Sequence, residues 1–206
     1  MSAVTAPAGS RVWTRIHRTA RDEGLAPALT VLRRTALDGR LPLGPRGHGM
    51  LAAAEVPQDV EELAATELPG GRVVMVRHAR GPAAADPALA LGLVWLRLGL
   101  SERLREDVVD HLQGRTVGDG NPLLQQQLVK AAVAEALLDH LEVRAVLDEA
   151  GTGMLSGPQL RDLQDQLTGA DRAQVRLLGA SGYLSSGPGQ VAYVSELLAE
   201  AHRVEE

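Results

Sequence analysis

The sequence predicts a mainly α protein, on three observations. Apolar residues fill 45% of the 206 positions, yet Ala, Leu and Val supply nearly all of them. Phe is absent, and Trp13, Trp95, Tyr183 and Tyr193 are the only aromatic residues, a balance that favours helices over sheets. Long segments repeat apolar residues every three or four positions between Gly- and Pro-rich breaks. Only Val73-Val74-Met75-Val76 is short, rich in β-branched residues and bounded by turn residues, so at most a small β element is expected.

Residues 1–10 form an Ala/Pro/Gly/Ser stretch expected to be flexible. Residues 12–38 carry helical periodicity in two pieces, through Trp13, Ile16 and Ala20 and then Leu25, Ala28, Leu32 and Ala36, with Gly24 and Pro27 at the joint. Two helices, or one kinked helix, follow. The Gly- and Pro-rich residues 39–49 predict a loop, and residues 59–66 a short helix.

Asp86-Pro87 is a helix start, with Asp86 as N-cap and Pro87 at the first helical position. Leu89, Leu93, Leu96, Leu100, Leu104 and Val108 then form one apolar stripe. Asn121-Pro122 repeats the start signal for a helix reaching Glu149, with Leu124, Leu128, Ala131, Leu138, Leu141 and Ala145 expected to face inward. Residues 151–157 form a turn, Ser156-Gly157-Pro158 opens a third helix, and Gly187-Pro188-Gly189 precedes a final one through Val191, Val194, Leu198 and Ala201. Four such helices bury their stripes only against one another, so residues 86–206 are expected to be an up-and-down four-helix bundle. The expected organisation is a flexible N-terminus over 1–10, a helical and loop region with a vestigial strand over 11–85, and the bundle over 86–206.

The formal charge of -5, with arginines interleaved among acids, argues against a nucleic-acid partner. Cysteine is absent, which removes disulfides, Cys-ligated metals and thiolate nucleophiles and fits a cytoplasmic protein. No apolar run approaches the roughly 20 residues that span a bilayer, and no export signal opens the chain. The six histidines lack metal-ligand spacing, so no metal is expected. Gly44 to Gly49, with Arg46 and His48, lacks phosphate-loop spacing and reads as an ordinary loop. Glu135 and Asp139, one turn apart beside His140, read as a solvated helix face. No Ser-His-Asp arrangement is supported locally, and Ser181 reads as a turn residue.

Two motifs carry chemistry. Gly114-Arg115-Thr116-Val117-Gly118-Asp119-Gly120-Asn121-Pro122, followed by Gln125-Gln126-Gln127, joins the first two bundle helices. Leu177-Leu178-Gly179-Ala180-Ser181-Gly182-Tyr183 closes the third. Together they resemble the C-terminal FAD-binding domain of acyl-CoA dehydrogenases over residues 87–198, in truncated and degenerate form. Arg115, Pro122, Gln127, Leu177, Leu178, Gly179, Gly182 and Tyr183 match. Val117 or Gly118 stands where the family has Phe, Arg176 replaces a Gln, and Ala180 replaces the second Gly. Tyr193-Val194-Ser195 replaces the family's Tyr-Arg-Asp step, and the place of its catalytic Glu falls near Arg203.

The resemblance implies that Arg115, Gln127, Gly179, Ala180 and Gly182 contact FAD, the Arg meeting the pyrophosphate bound by a neighbouring subunit and the glycines admitting backbone N–H groups. Arg115 as a helix C-terminal cation and the glycines as a C-cap are the structural alternatives. In the family a middle β-domain covers the flavin ring, and residues 1–85 do not encode it together with the N-terminal helical domain. The expected function is therefore a subunit of a flavin-dependent oxidoreductase acting on an acyl thioester, with FAD shared with a partner subunit and the catalytic residue unknown. The alternatives are a flavin-free, non-catalytic partner of a full-length homologue, or a fold repurposed in a bacterial biosynthetic pathway. Homodimer and heteromer with a longer homologue both remain open.

Overall fold

The computed structural model describes residues 8–79, 86–116, 118, 120–150, 155–185 and 187–203. Among them the order is α1 (Ala8–Glu23), α2 (Leu25–Thr35), β1 (His48–Ala52), β2 (Glu61–Leu68), β3 (Gly71–Arg77), α3 (Pro87–Gln113), α4 (Gln127–Ala150), α5 (Gly157–Leu177) and α6 (Pro188–Ala201). The expected break at Gly24 separates α1 from α2. Of the expected flexible N-terminus, residues 1–7 lie outside the described residues, whereas Ala8 already begins α1. Residues 151–154 of the expected turn, and Val117 and Asp119 of the Arg115 junction, also lie outside them.

The segment expected as a helix over 59–66 is instead strand β2. Its Glu, Leu and Ala residues have good helix propensity, but so short a helix is unstable without packing. The Pro69-Gly70 turn folds it back on β3 instead, in antiparallel register from Glu61↔Arg77 to Leu68↔Gly71. β1 pairs with the other edge of β3, which also takes His48 and Gly49 from the expected loop. The lone expected strand is thus the centre of a three-stranded sheet, order β1-β3-β2. Met50, Ala52, Leu68 and Val73 pack into a core shared with α1, α2, α3 and α6. Leu51, Val74 and Val76, on the opposite face, lie under Leu41, Leu43, Val56 and Val60.

α3 is the axis of the molecule. The Asp86 side chain accepts from the N–H groups of Ala88 and Leu89 at 2.9 and 3.3 Å, with Pro87 behind it, as the start signal implied. The whole expected stripe of α3 is buried, and so are Val94, Trp95 and Leu98, because α1, α4, α5 and α6 surround it. The start of α5 carries a full capping box between Ser156 and Gln159.

α4 departs from expectation twice. A bridge between Thr116 and Pro122 and a 3-10 turn over Leu123–Gln125 delay its start to Gln127. Its inward face is Val129, Val133, Ala136, His140, Val143 and Leu147, while Leu128, Leu138 and Leu141 are 85%, 58% and 55% exposed. The helix carries two apolar stripes on opposite sides, and periodicity identifies both without ranking them. The stripe richer in Val packs against α3 and α5.

The crossing of α1 over α3 depends on Gly99, where an added Cβ would stand 2.3 Å from the His17 carbonyl and 3.0 Å from Ala20 Cβ. Gly99→Val should lower unfolding stability by about 2–4 kcal/mol, read from urea titrations followed by helix ellipticity.

Candidate functional site

The two sequence motifs meet at one end of the bundle. Leu112, Leu123, Leu124, Leu177 and Leu178 share a single apolar cluster, so the turn after α3 and the turn after α5 are neighbours. Arg115 is fixed through its backbone: its N–H donates to Leu112 O at 3.3 Å, and its carbonyl accepts from the Leu123 N–H at 2.7 Å. Its side chain is exposed, as is that of Gln127 at the start of α4. Gly179, with φ of 56°, and Ala180 are exposed on the adjoining turn, and a Cβ added at Gly179 would meet nothing within 4 Å. Gly182 faces inward, where its carbonyl lies 1.8 Å from the place a Cβ on Gly189 would occupy. The glycines therefore divide: Gly179 opens a turn to the outside, and Gly182 lets α6 pack closely.

A cavity of about 250 Å³ lies at the other end, walled by Leu43, Leu89, Leu93 and Leu160 and rimmed by His202 and Arg203. Arg203, near which the resemblance would put a catalytic Glu, is ion-paired to Asp165 and, at 3.7 Å, to Glu200. His202 closes that end through Leu198 O at 2.7 Å and Pro42 O at 3.1 Å.

Between the two ends runs a polar seam outside both sequence motifs. The fully buried Arg97 donates to Ser195 Oγ at 3.0 Å, Thr168 Oγ1 at 2.9 Å and Gln164 O at 3.0 Å, and its charge lies 3.9 Å from Asp171. Ser101 donates to Asp171 and touches His140 Nε2 at 2.7 Å. Burial pushes the Asp171 carboxyl up, and the Arg97 charge and Ser101 hydrogen bond draw it only partly back, to about 6. Burial, with the Arg105 charge, pulls His140 down to about 4. A Ser, a His and an Asp thus assemble across α3, α4 and α5, but all three are at most 4% exposed, so the group ties helices together rather than meeting a substrate. His140 is correspondingly not on the solvated face expected for it, whereas Glu135 is. A signal did exist: Arg97, Ser101 and Arg105 follow one another at four-residue spacing beside the apolar stripe of α3.

A second polar cluster clamps α1 to α3 and α4. Glu102 meets His17 Nε2 at 2.9 Å and Arg144 Nη2 at 2.9 Å, and the Arg144 guanidinium lies 5.3 Å from the centre of the Trp95 ring. Burial pushes the Glu102 carboxyl up, but the hydrogen bond and charge of His17, then those of Arg144, outweigh it and hold it at about 2. Among the described residues no group of three or more His, Asp or Glu could hold a metal ion, and no helix is long and apolar enough to cross a membrane.

No protein-family model and no curated protein sequence matches the chain. Solved structures do match its fold. A glutaryl-CoA dehydrogenase from Mycobacterium smegmatis in complex with FADH2 superposes with a TM-score of 0.54 at 18% identity, over 71% of this chain and 47% of that one. Butyryl-CoA dehydrogenase from Megasphaera elsdenii gives 0.53 at 14%, over 77% and 45%, and a variant of the steroid ACAD Tcur3481-Tcur3483 gives 0.51 at 17%, over 74% and 50%. The fold is therefore that of the acyl-CoA dehydrogenases. The chain spans about half the length of these structures.

The residues fit FAD at one end only. The exposed Arg115 and open Gly179 turn suit a pyrophosphate, the guanidinium as a charge-assisted donor and the turn as a close backbone approach. The ring end does not fit. The segment between α2 and α3 forms three strands, and the core positions of the central strand are covered on one face by helices and on the other by the chain's own loops. The central strand therefore offers no open face to wall an isoalloxazine, and the exposed edge strand β2 carries Glu61, Glu62 and Glu67 instead.

The Glu102 clamp has a pH signature. A carboxyl held below its ordinary value contributes stability that is complete above about pH 4.5 and lost as pH falls toward 2. Glu102→Gln should cost about 3 kcal/mol at pH 7 and flatten the fall in stability between those limits, measured by denaturant titrations across pH.

Proposed function

We propose that this chain is an accessory subunit of an acyl-CoA-dehydrogenase-like flavoprotein acting on an acyl thioester. In this reading it lends Arg115, Gln127 and the Gly179–Gly182 turn to FAD whose ring and catalytic base are supplied by a longer homologue. One observation carries the reading: the phosphate-end turns are exposed while the central strand of the small sheet is covered on both faces. Arg203, near the place of the family's catalytic Glu, is ion-paired to Asp165 and Glu200, which favours a base supplied by another chain. The same residue favours a second reading, a flavin-free partner that only supports a complete homologue.

Purification of the chain alone and after co-expression with a longer acyl-CoA dehydrogenase homologue separates the two. The accessory-subunit reading expects visible flavin absorbance in the complex at a stoichiometry that depends on this chain. Arg115→Ala should weaken FAD retention by about 10-fold or more while leaving the thermal midpoint of the subunit unchanged, since the side chain is exposed. Flavin in the homologue unaffected by either change supports the flavin-free partner instead.

A further inference from the structure

Three arginines of α1 stand against the electrostatics of their own helix. Arg11, Arg15 and Arg18 fall at positions i, i+4 and i+7, so they form one exposed strip roughly 10 Å long. Like charges one turn apart weaken a helix, and cations toward its N-terminus oppose the macrodipole. No acid relieves them. Residues 1–21 contain no Asp or Glu, and none of the three has a hydrogen bond or ion pair among the described residues. Elsewhere Arg21, Arg33, Arg40, Arg77, Arg144 and Arg172 are ion-paired. A charge pattern that costs local stability, on a helix the core depends on, marks a functional surface.

The shape and surroundings of the strip select what it binds. Ile16 and Ala20 spend the apolar side of α1 on the core, and the exposed residues among 11–23 are Arg11, Thr14, Arg15, Arg18, Asp22 and Glu23. With no apolar side chain turned outward, α1 has nothing to insert into a lipid surface and offers a second copy no core for a stable dimer. A second copy would also set Arg15 against Arg18, or each arginine against itself, with only Asp22 to relieve them. A compact nucleotide is held in a concave site, and the cavities at both ends of the bundle and beside Gly24 are lined by other residues. A straight, convex row of cations instead matches an acidic helix, whose carboxylates can recur at the same three- and four-residue spacing. Contacts made of charge alone steer a transient partner.

α1 runs parallel to α3, with Trp13 beside Gly92 and His17 beside Glu102, so its Arg11 end lies toward the cavity walled by Leu89 and Leu93. We infer that the arginine strip of α1 docks an acidic helix of a carrier protein, so that the acyl thioester arrives on a protein rather than on coenzyme A. The inference rests on the acyl-thioester reading and names the carrier of that substrate.

The probe is an acyl carrier protein whose exposed helix bears acids at i, i+4 and i+7, labelled for fluorescence anisotropy. Its binding to the wild-type chain should saturate and should weaken about 10-fold or more between about 50 and 300 mM salt. Arg11→Glu, Arg15→Glu and Arg18→Glu combined should weaken it by about 10-fold or more as well. That triple variant should unfold at the same temperature or higher, because its acids suit the helix N-terminus. A carrier with lysines in place of the three acids should bind the triple variant and not the wild type. Absence of binding, or binding indifferent to the triple variant, would overturn the inference. A response to the same acyl group on coenzyme A, or to vesicles of anionic lipid, that the triple variant abolishes would overturn it in favour of a nucleotide or a membrane. A wild-type dimer in light scattering that the triple variant abolishes would do so in favour of a second copy. None of these readouts involves flavin, so failure here is distinct from failure of the FAD proposal.

Discussion

Burying the Arg97 guanidinium is the constraint around which the bundle is arranged. A cation taken out of water loses several kcal/mol of hydration unless its donors are used, and burial pulls the Arg97 pKa down accordingly. Ser195 on α6 and Gln164 and Thr168 on α5 take up those donors, with Asp171 as the nearest opposite charge. Each partner sits at a set distance along its helix. The network therefore sets the register of α3 against α5 and α6 in a way that interchangeable Leu and Val contacts do not. Ser101 extends the seam from Asp171 to His140 and brings α4 into the same register.

That central order positions both ends of the molecule. At one end, the register of α3 with α5 brings Leu112 beside Leu178 and so sets the Arg115 and Gly179 turns side by side. At the other, α6 ends against the loop at Pro42, and Arg203 is held at the rim of the small cavity by Asp165 and Glu200. The Glu102 cluster performs the same service for the N-terminal helices, since α1 reaches the bundle through His17 and the close crossing at Gly99. The helical region before the sheet and the bundle after it consequently share one apolar core.

The relation of this chain to the acyl-CoA dehydrogenase fold is uneven in a physically consistent way. Helix packing is retained, because stripes and caps tolerate wide sequence change at constant volume and period. Between α2 and α3 lie three strands, the central one covered by helices on one face and by Leu41, Leu43, Val56 and Val60 on the other, with β2 left exposed from Glu61 to Ala65. Further exposed features lie on the Arg115 and Gly179 turns and on the outer face of α4.

Sequence alone determined the helix starts at Asp86-Pro87 and Ser156-Gly157-Pro158, the break at Gly24, the stripe of α3 and the acyl-CoA-dehydrogenase-like bundle, because caps, breakers and apolar period act within a few residues. The pairing of β2 with β3, the choice between the two faces of α4, and the meeting of Arg97, Ser101, His140 and Asp171 were decided only in the tertiary structure. Helix propensity at residues 61–66 gave way to backbone pairing with a strand across a hairpin. α4 offered two apolar stripes, and the neighbours it met selected one. Polar side chains on three separate helices became a network only when packing excluded water from between them, a condition that no local run of residues encodes.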